Sequence, residues 1–115
     1  MVRDDVDYGL RSLGVAVVEK ALEDYRAIIS KHNKLAKAAR TEANQISLYN
    51  NDQKLREVES FFRSDLFIYY VGDTVSGERI IDKIKKDMKY SDVEIVSPFV
   101  YKILLSRRYR DGDQD

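Results

Sequence analysis

The stretch EVESFFRSDLFIYYVGD, residues 57–73, decides the fold because it places a small polar island between two groups of aromatic and large aliphatic residues. The island consists of Arg63, Ser64 and Asp65. The two phenylalanines before it predict the end of a helix, and a serine hydroxyl followed by an acidic residue is typical of the start of the next. The stretch therefore predicts a packed corner between two helices, in which Arg63 points outward or pairs with Asp65.

A long helix is predicted upstream of this corner. Apolar residues recur every three or four positions over residues 10–39, which is the spacing of one face of an α-helix. This helix is expected to begin between Asp5 and Ser12 and to fade in the polar stretch 40–45. Residues 47–52, SLYNND, are predicted to form a loop because Asn and Asp side chains favour turns. A second helix then leads into the corner.

Two further helices are predicted downstream of the corner. Ser76 offers a hydroxyl cap and Glu78 lies in the positively polarised first turn, so a helix is expected to begin at Ser76. Ser97 can cap the last helix, and Pro98 is preorganised for its first position. That helix is expected to run to about residue 109.

These elements predict an all-α fold, a small four- to five-helix bundle with a long first helix, formed by a single domain over residues 1–110 with a polar tail at 111–115. The alternative is an α+β fold. Residues 66–71 and 93–105 contain short runs rich in β-branched and aromatic side chains, which are typical of strands. They would pair as a sheet of two or three strands.

Composition restricts the classes of function. The 115 residues contain 20 Lys plus Arg and 20 Asp plus Glu, so no net charge draws the chain to nucleic acid or to an anionic membrane. The absence of cysteine excludes disulfides and thiolate chemistry. The N-terminal sequence lacks a signal-peptide pattern, and no apolar run approaches the ~20 residues of a membrane span. A cytoplasmic protein without membrane contact is expected.

The sequence contains no recognisable catalytic or cofactor motif. His32 is the single histidine and lies on or beside the apolar stripe of the first helix, so a structural role is favoured over a zinc site. The five glycines are scattered as single residues, which leaves no loop that could cradle a phosphate. No enzymatic activity, metal or cofactor is therefore predicted.

The C-terminal stretch FVYKILLSRRYR, residues 99–110, is apolar on almost every side and then strongly basic. One face of a small bundle cannot bury all of its apolar residues, so part of this surface is expected to contact another chain or a cleft in the fold. The basic residues are interpreted first as the cations that a helix C-terminus favours and second as the rim of a protein contact. Third, basic residues interleaved with an aromatic residue can bind phosphate and stack on a base. The candidate partner-binding residues in this stretch and the corner are Arg63, Tyr69, Tyr70, Tyr101, Lys102, Arg107, Arg108 and Tyr109.

Two blocks of the chain resemble a family of small uncharacterised proteins from prophages and conjugative elements of Gram-positive bacteria. The first block is ESFFRSDLF, residues 59–67, with Leu66 where the family pattern has Trp, and the second is GERII, residues 77–81. Residues 24–26, DYR, are similar to the first helix of the same family. The resemblance implies a helical fold and a mobile-element origin, and it implies no activity.

Two hypotheses of function follow. The first is a non-enzymatic phage or mobile-element protein that binds and inhibits a host or defence macromolecule, of which an anti-CRISPR inhibitor is the most concrete version. The alternative is a small nucleic-acid-binding regulator of a mobile element. A protein partner is expected under the first and a nucleic acid under the second, and a homodimer that uses the apolar C-terminal surface is a further alternative.

Overall fold

The computed structural model describes the backbone of residues 2–114 and the side chains of residues 13–106. Within these residues it contains five α-helices: α1 (Val2–Lys37), α2 (Glu42–Phe62), α3 (Asp65–Val71), α4 (Gly77–Asp87) and α5 (Pro98–Gln114). The prediction of an all-α bundle with a long first helix is confirmed.

The α+β alternative is wrong for the described residues. Residues 66–71 lie in α3 and residues 98–105 lie in α5, while residues 93–97 are irregular, and residues 2–114 contain no strand. Serine caps explain the outcome. The hydroxyl of Ser64 accepts a hydrogen bond from the backbone N–H of Phe67 at 3.3 Å, and that of Ser97 accepts one from Val100 at 3.2 Å. Each cap starts a helix where β-branched and aromatic side chains alone favour a strand.

The predicted loop at residues 47–52 is also wrong, because α2 runs through it. The chain turns earlier, at residues 38–41, and Thr41 caps α2 by accepting a hydrogen bond from the backbone N–H of Asn44 at 3.1 Å. The polar residues of the stretch bind elsewhere. The amide of Asn51 donates to the carbonyl oxygen of Ile28 on α1 at 2.9 Å, and Asp52 accepts from Arg56 at 2.9 Å. The turn prediction assumed that these side chains bind their own backbone in place of the helical hydrogen bonds. Because they bind Ile28 and Arg56 instead, the helical hydrogen bonds can form.

The core lies where α1, α2, α3 and α4 meet. Its aromatic centre is formed by Tyr25, Phe62 and Phe67, whose rings meet edge to face with centroids 5.6 Å apart in each of two pairs. Buried aliphatic side chains surround this centre, among them Ile29, Leu55, Ile81 and Ile84. Burial of each such side chain contributes about 1.5–3 kcal/mol to folding, so this cluster fixes the mutual positions of the four helices.

The irregular segment between α4 and α5 is held against α1. His32 is buried, donates from Nε2 to the carbonyl oxygen of Ser91 at 2.6 Å and stacks on the ring of Tyr90 at 4.2 Å. Asn33 accepts from the backbone N–H of Ser91 at 2.9 Å and donates to the carbonyl oxygen of Met88 at 3.0 Å. The two contacts of His32 give it the structural role predicted for it. Together with the two contacts of Asn33 they direct the chain toward α5, which contacts α2.

Candidate functional site

The corner predicted from the sequence is a junction of three helices. The α2 helix ends at Phe62, α3 starts after the Ser64 cap, and α4 begins at Gly77 against the end of α2. A Cβ atom on Gly77 would lie 2.7 Å from the carbonyl carbon of Phe62, so only glycine allows this approach. The two blocks that resemble the mobile-element family, residues 59–67 and 77–81, thus meet in space at this junction.

Ion pairs join the same elements across the junction. Arg63 contacts Glu78 of α4, and its guanidinium also lies 3.5 Å from Oε1 of Glu59. Arg63 is half exposed, as one sequence interpretation had it, but it pairs with these two carboxylates and not with Asp65. Because Glu78 lies 15 residues further along the chain, local spacing gave no indication of the pair.

A buried carboxylate organises the interior side of the junction. Glu59 accepts a hydrogen bond from the hydroxyl of Tyr25 at 2.6 Å, and Oε2 of Glu59 also lies 3.1 Å from Nζ of Lys85. Lys85 in turn lies 4.8 Å from the centre of the Tyr90 ring. The network connects α1, α2 and α4 and was not predicted. The available indication was that Glu59 falls on the same helical face as Leu55 and Phe62, where an apolar residue is expected.

Burial raises the pKa of the Tyr25 hydroxyl well above its ordinary value, and the hydrogen bond to Glu59 and the negative charge of that carboxylate raise it further. Burial, together with the negative charges of Asp52 and Glu59, also raises the pKa of Tyr90. Both shifts favour the neutral phenol, since an ionised phenolate beside a carboxylate in a poorly solvated site is unfavourable. The network therefore acts as a hydrogen-bonded support for the helices and not as a source of a reactive phenolate.

The raised pKa of Tyr25 predicts a loss of stability at alkaline pH. The unfolded chain loses this proton above about pH 10, whereas the folded chain keeps it, so the stabilisation is complete below that pH and is lost as the pH rises. We expect Tyr25→Phe to remove about 1.4 kcal/mol per pH unit of this slope above about pH 10. Urea unfolding of the original protein and of Tyr25→Phe between pH 8 and 11 measures this slope. Parallel pH profiles of the two free energies of unfolding would show that Tyr25 ionises equally in the folded and unfolded chains.

The predicted partner-binding residues of the corner do not form one surface. The side chain of Tyr69 is 69% exposed, whereas Tyr70 is half-buried and packs against Gly14 of α1. The two tyrosine rings meet at 5.7 Å. A shallow cavity beside Arg63 is lined by residues that include Ile68, but neither tyrosine is among its described lining residues. A contact role for these residues stays a prediction.

The described part of α5 carries the most exposed apolar surface. Phe99 is 74% exposed, and the exposed fractions of four further side chains fall between 38% and 48%. These four are Val100, Ile103, Leu104 and Leu105. Lys102 is exposed on the same helix, and Tyr101 is half-buried. The predicted residues Arg107, Arg108 and Tyr109 follow on this helix, but their side chains lie outside the described residues.

Beside α5 lies an open cavity of about 250 Å³. Its described lining residues are Arg40, Gln45, Val96, Tyr101, Leu104 and Leu105. Only Tyr101 of this set was a predicted partner-binding residue. Arg40 and Gln45 come from the turn and first helical turns after α1, and Val96 comes from the irregular segment held by His32 and Asn33. Their convergence depends on tertiary structure, so no sequence pattern could have indicated it.

Within the described residues, no group of three or more His, Asp or Glu side chains is placed to hold a metal ion. No helix in the same part of the chain combines the length and the apolar character needed to cross a membrane. Comparisons of the chain with protein-family models, with curated proteins and with solved structures found no match. The resemblance to the mobile-element family therefore stays a prediction. The structure gives its two blocks an architectural reason, since they pack together.

Proposed function

We propose that this protein is a non-enzymatic interaction protein of a phage or mobile element, which acts in the host cytoplasm by binding and inhibiting a host or defence macromolecule. The observation that carries the proposal is the exposed apolar face of α5. We call Phe99, Val100, Ile103, Leu104 and Leu105 the α5 face. Several exposed apolar side chains on one helix are typical of sites of protein interaction.

The composition of the α5 face supports a protein partner. Interface cores are depleted in charged residues and enriched in aromatic ones, and residues 98–106 contain an aromatic anchor in Phe99 and a single charged residue, Lys102. Val100, Ile103 and Leu104 follow the spacing of one helical face. A partner that covers them gains the hydrophobic free energy of burial that this chain alone leaves unused.

The mobile-element origin and the inhibitory role rest on the resemblance of residues 59–67 and 77–81. An inhibitor without catalytic groups would act by occupying a surface of its target. A CRISPR nuclease is the most concrete target of this kind, because such nucleases oppose the entry of mobile elements. The proposal thus predicts that the chain blocks DNA cleavage by a nuclease that it binds.

A matched pair of variants tests the α5 face. Phe99→Ser removes an apolar side chain that is 74% exposed, and Tyr69→Ser removes one that is 69% exposed on α3, so neither is expected to destabilise the fold. Binding of each protein to a panel of purified CRISPR nuclease complexes is measured by interferometry, together with DNA cleavage. We expect one complex to be bound and inhibited, and Phe99→Ser to weaken both effects at least about tenfold. Tyr69→Ser is expected to change them less than threefold.

Other results would contradict parts of the proposal. An inactive panel would remove the nuclease as target, and an equal loss in Tyr69→Ser would move the contact surface to α3. Light scattering completes the test. A stable dimer that dissociates on Phe99→Ser would show that a second copy of the chain covers the α5 face in place of a foreign partner.

The alternative, a nucleic-acid-binding regulator, is favoured by one observation. Lys31, Lys34 and Lys37 are exposed at spacings of three along α1, and none pairs with a carboxylate among the side chains that the structure describes. A row of cations can contact phosphates. A duplex DNA arm in the same binding experiment separates the two functions, since affinity for DNA must fall steeply as salt concentration rises.

A further inference from the structure

The cavity beside α5 is lined by a polar side chain, that of Gln45, for which the described residues provide no hydrogen-bond partner. Among the described residues, five polar or charged side chains are buried: His32, Gln45, Asn51, Asp52 and Glu59. Four of them have hydrogen-bond partners in the fold. Gln45 is 6% exposed and its side-chain amide makes no hydrogen bond to residues 13–106. An acceptor on a ligand can therefore bind this amide in place of water.

The Gln45 amide is reached from the cavity. No side-chain nitrogen or oxygen among the described residues is both sealed from solvent and without a hydrogen-bond partner, so this amide faces accessible space, and the space that Gln45 lines is this cavity. Asn51, six positions further along α2, shows the contrast. Its amide has the same chemistry and is bound to the carbonyl oxygen of Ile28.

The charges around the cavity determine which charge on a ligand is favoured. Arg40 lines the cavity and forms no ion pair with any described carboxylate. No Asp or Glu is among the described lining residues, and Lys102 is exposed on the adjoining helix. The guanidinium of Arg40 can only donate, and the amide of Gln45 and the hydroxyl of Tyr101 can donate as well as accept. An oxygen anion therefore complements this polar side of the cavity.

The other lining residues determine which kind of group the anion can be attached to. Val96, Leu104 and Leu105 present aliphatic side chains, so a carboxylate attached to an apolar group fits both sides of the cavity. The volume of about 250 Å³ lies below the range of about 300–1,000 Å³ that holds drug-sized ligands. A cavity of this size accommodates one large side chain and its carboxylate, and it leaves the rest of a longer ligand outside.

We propose that this cavity binds the C-terminal carboxylate and the large apolar last side chain of a partner protein. The inference rests on the proposed function, because it names the part of the partner that enters beside the α5 face. Leu104 and Leu105 line the cavity and also belong to the α5 face. A peptide chain that leaves the cavity can therefore continue along exposed apolar surface. A free carboxylic acid of the same size gains nothing from that surface.

Short peptides test the proposal on the full chain. The probes are acetyl-Val-Gly-Val-Leu with a free C-terminal carboxylate, whose valine side chains can contact the exposed apolar surface of α5, the same peptide as its C-terminal amide, and octanoate. Binding is followed through the backbone amide chemical shifts of ¹⁵N-labelled protein. We expect the free-carboxylate peptide to shift the signals of Gln45, Val96 and Tyr101, and the amidated peptide and octanoate to bind at least about tenfold more weakly.

Matched variants assign the binding to the cavity. Arg40→Gln and Gln45→Leu are expected to weaken binding of the free-carboxylate peptide at least about tenfold. Arg26→Gln, at an exposed arginine on α1 that does not line the cavity, is expected to leave the binding of this peptide unchanged. Because Arg40 is exposed, its replacement keeps the fold and the test remains valid even where Gln45→Leu does not fold.

Each other outcome overturns the proposal in a defined way. Equal binding of the amidated peptide removes the carboxylate from the recognition, equal binding of octanoate replaces a peptide terminus by a free acid, and unchanged spectra with all three probes remove the site. The proposed function fails separately. If Phe99→Ser still abolishes partner binding while the peptides do not bind, only the cavity assignment is wrong. If the peptides bind and Phe99→Ser has no effect on any partner, the α5 face is wrong.

Discussion

Gly77→Ala is expected to lower the free energy of unfolding by about 3 kcal/mol or more, the upper end of the range for overpacking a well-packed site. The added methyl group would overlap the carbonyl oxygen of Phe62 and lie 2.7 Å from its carbonyl carbon. The obstacle is backbone at the end of a helix, and the Phe62 ring is buried between Tyr25 and Phe67. No side-chain rotation can relieve the overlap.

Relief of this overlap requires α4 to move away from α2, and that movement has further costs. It separates Glu78 from Arg63 and Lys85 from Glu59, and it opens the core around Ile81. The measurement is urea unfolding at neutral pH, with retained helicity checked by circular dichroism. We expect the unfolding midpoint to fall while the m-value stays constant, since the denatured chain is nearly unchanged.

Gly14→Ala is the matched control for Gly77→Ala. A Cβ atom at Gly14 would lie 2.7 Å from Cδ1 and 3.2 Å from Cβ of the half-buried Tyr70, so the ring must turn and the side chain must shift by a few tenths of an ångström, which costs less than moving backbone. Alanine in the interior of α1 also gains up to about 1 kcal/mol in helix propensity over glycine. Gly77→Ala thus adds a methyl group against backbone, whereas Gly14→Ala adds the same group against a side chain. Equal stability of both would show that α4 does not approach α2 as closely as the structure indicates.

Local patterns predicted most of the helices correctly because the signals are contained in single segments. The hydroxyl caps Ser64, Ser76 and Ser97 each start the helix expected of them. The prediction failed at residues 47–52, where Asn51 and Asp52 favour a turn in isolation. Their side chains instead bind Ile28 and Arg56, and only the packed arrangement of α1 and α2 makes the first partner available.

The candidate sites differ in the same way, because one is a property of a single segment and the other depends on tertiary structure. The apolar excess of residues 99–105 is a property of one helix, so the sequence alone indicated that part of α5 is exposed. The cavity beside it is assembled from Arg40, Gln45 and Val96, which depend on where α2 begins and on how His32 and Asn33 direct the chain. The sequence predicted a packed corner in which Arg63 is a possible contact residue, and Arg63 is engaged by Glu59 and Glu78.

Glu59→Ala is expected to lower the free energy of unfolding by about 3 kcal/mol, the lower end of the range for breaking a buried ion pair. The value lies at the lower end because Lys85 and Arg63 are partly exposed, so both cations recover some solvation when the carboxylate is removed. Tyr25 cannot recover in this way. Its side chain is fully buried, and its hydroxyl would lose its acceptor in the core.

Glu59→Gln separates the charge of Glu59 from its shape. The amide oxygen of glutamine can still accept from Tyr25, whereas the attraction to both cations is lost, so we expect about half of the effect of Glu59→Ala. Asp87→Ala is the control, because Asp87 pairs with Lys83 at 3.7 Å on the surface and its removal is expected to cost less than about 0.5 kcal/mol.

A double-mutant cycle of Glu59→Ala with Tyr25→Phe isolates the contribution of the hydrogen bond between the two side chains. A hydrogen bond to a charged acceptor contributes about 1.5–3 kcal/mol, and we expect a coupling free energy in that range from urea unfolding of the four proteins. A coupling near zero at neutral pH would mean that Tyr25 and Glu59 are stabilised independently. In that case packing of Tyr25 against Phe62, and not the buried carboxylate, would hold α1 against α2.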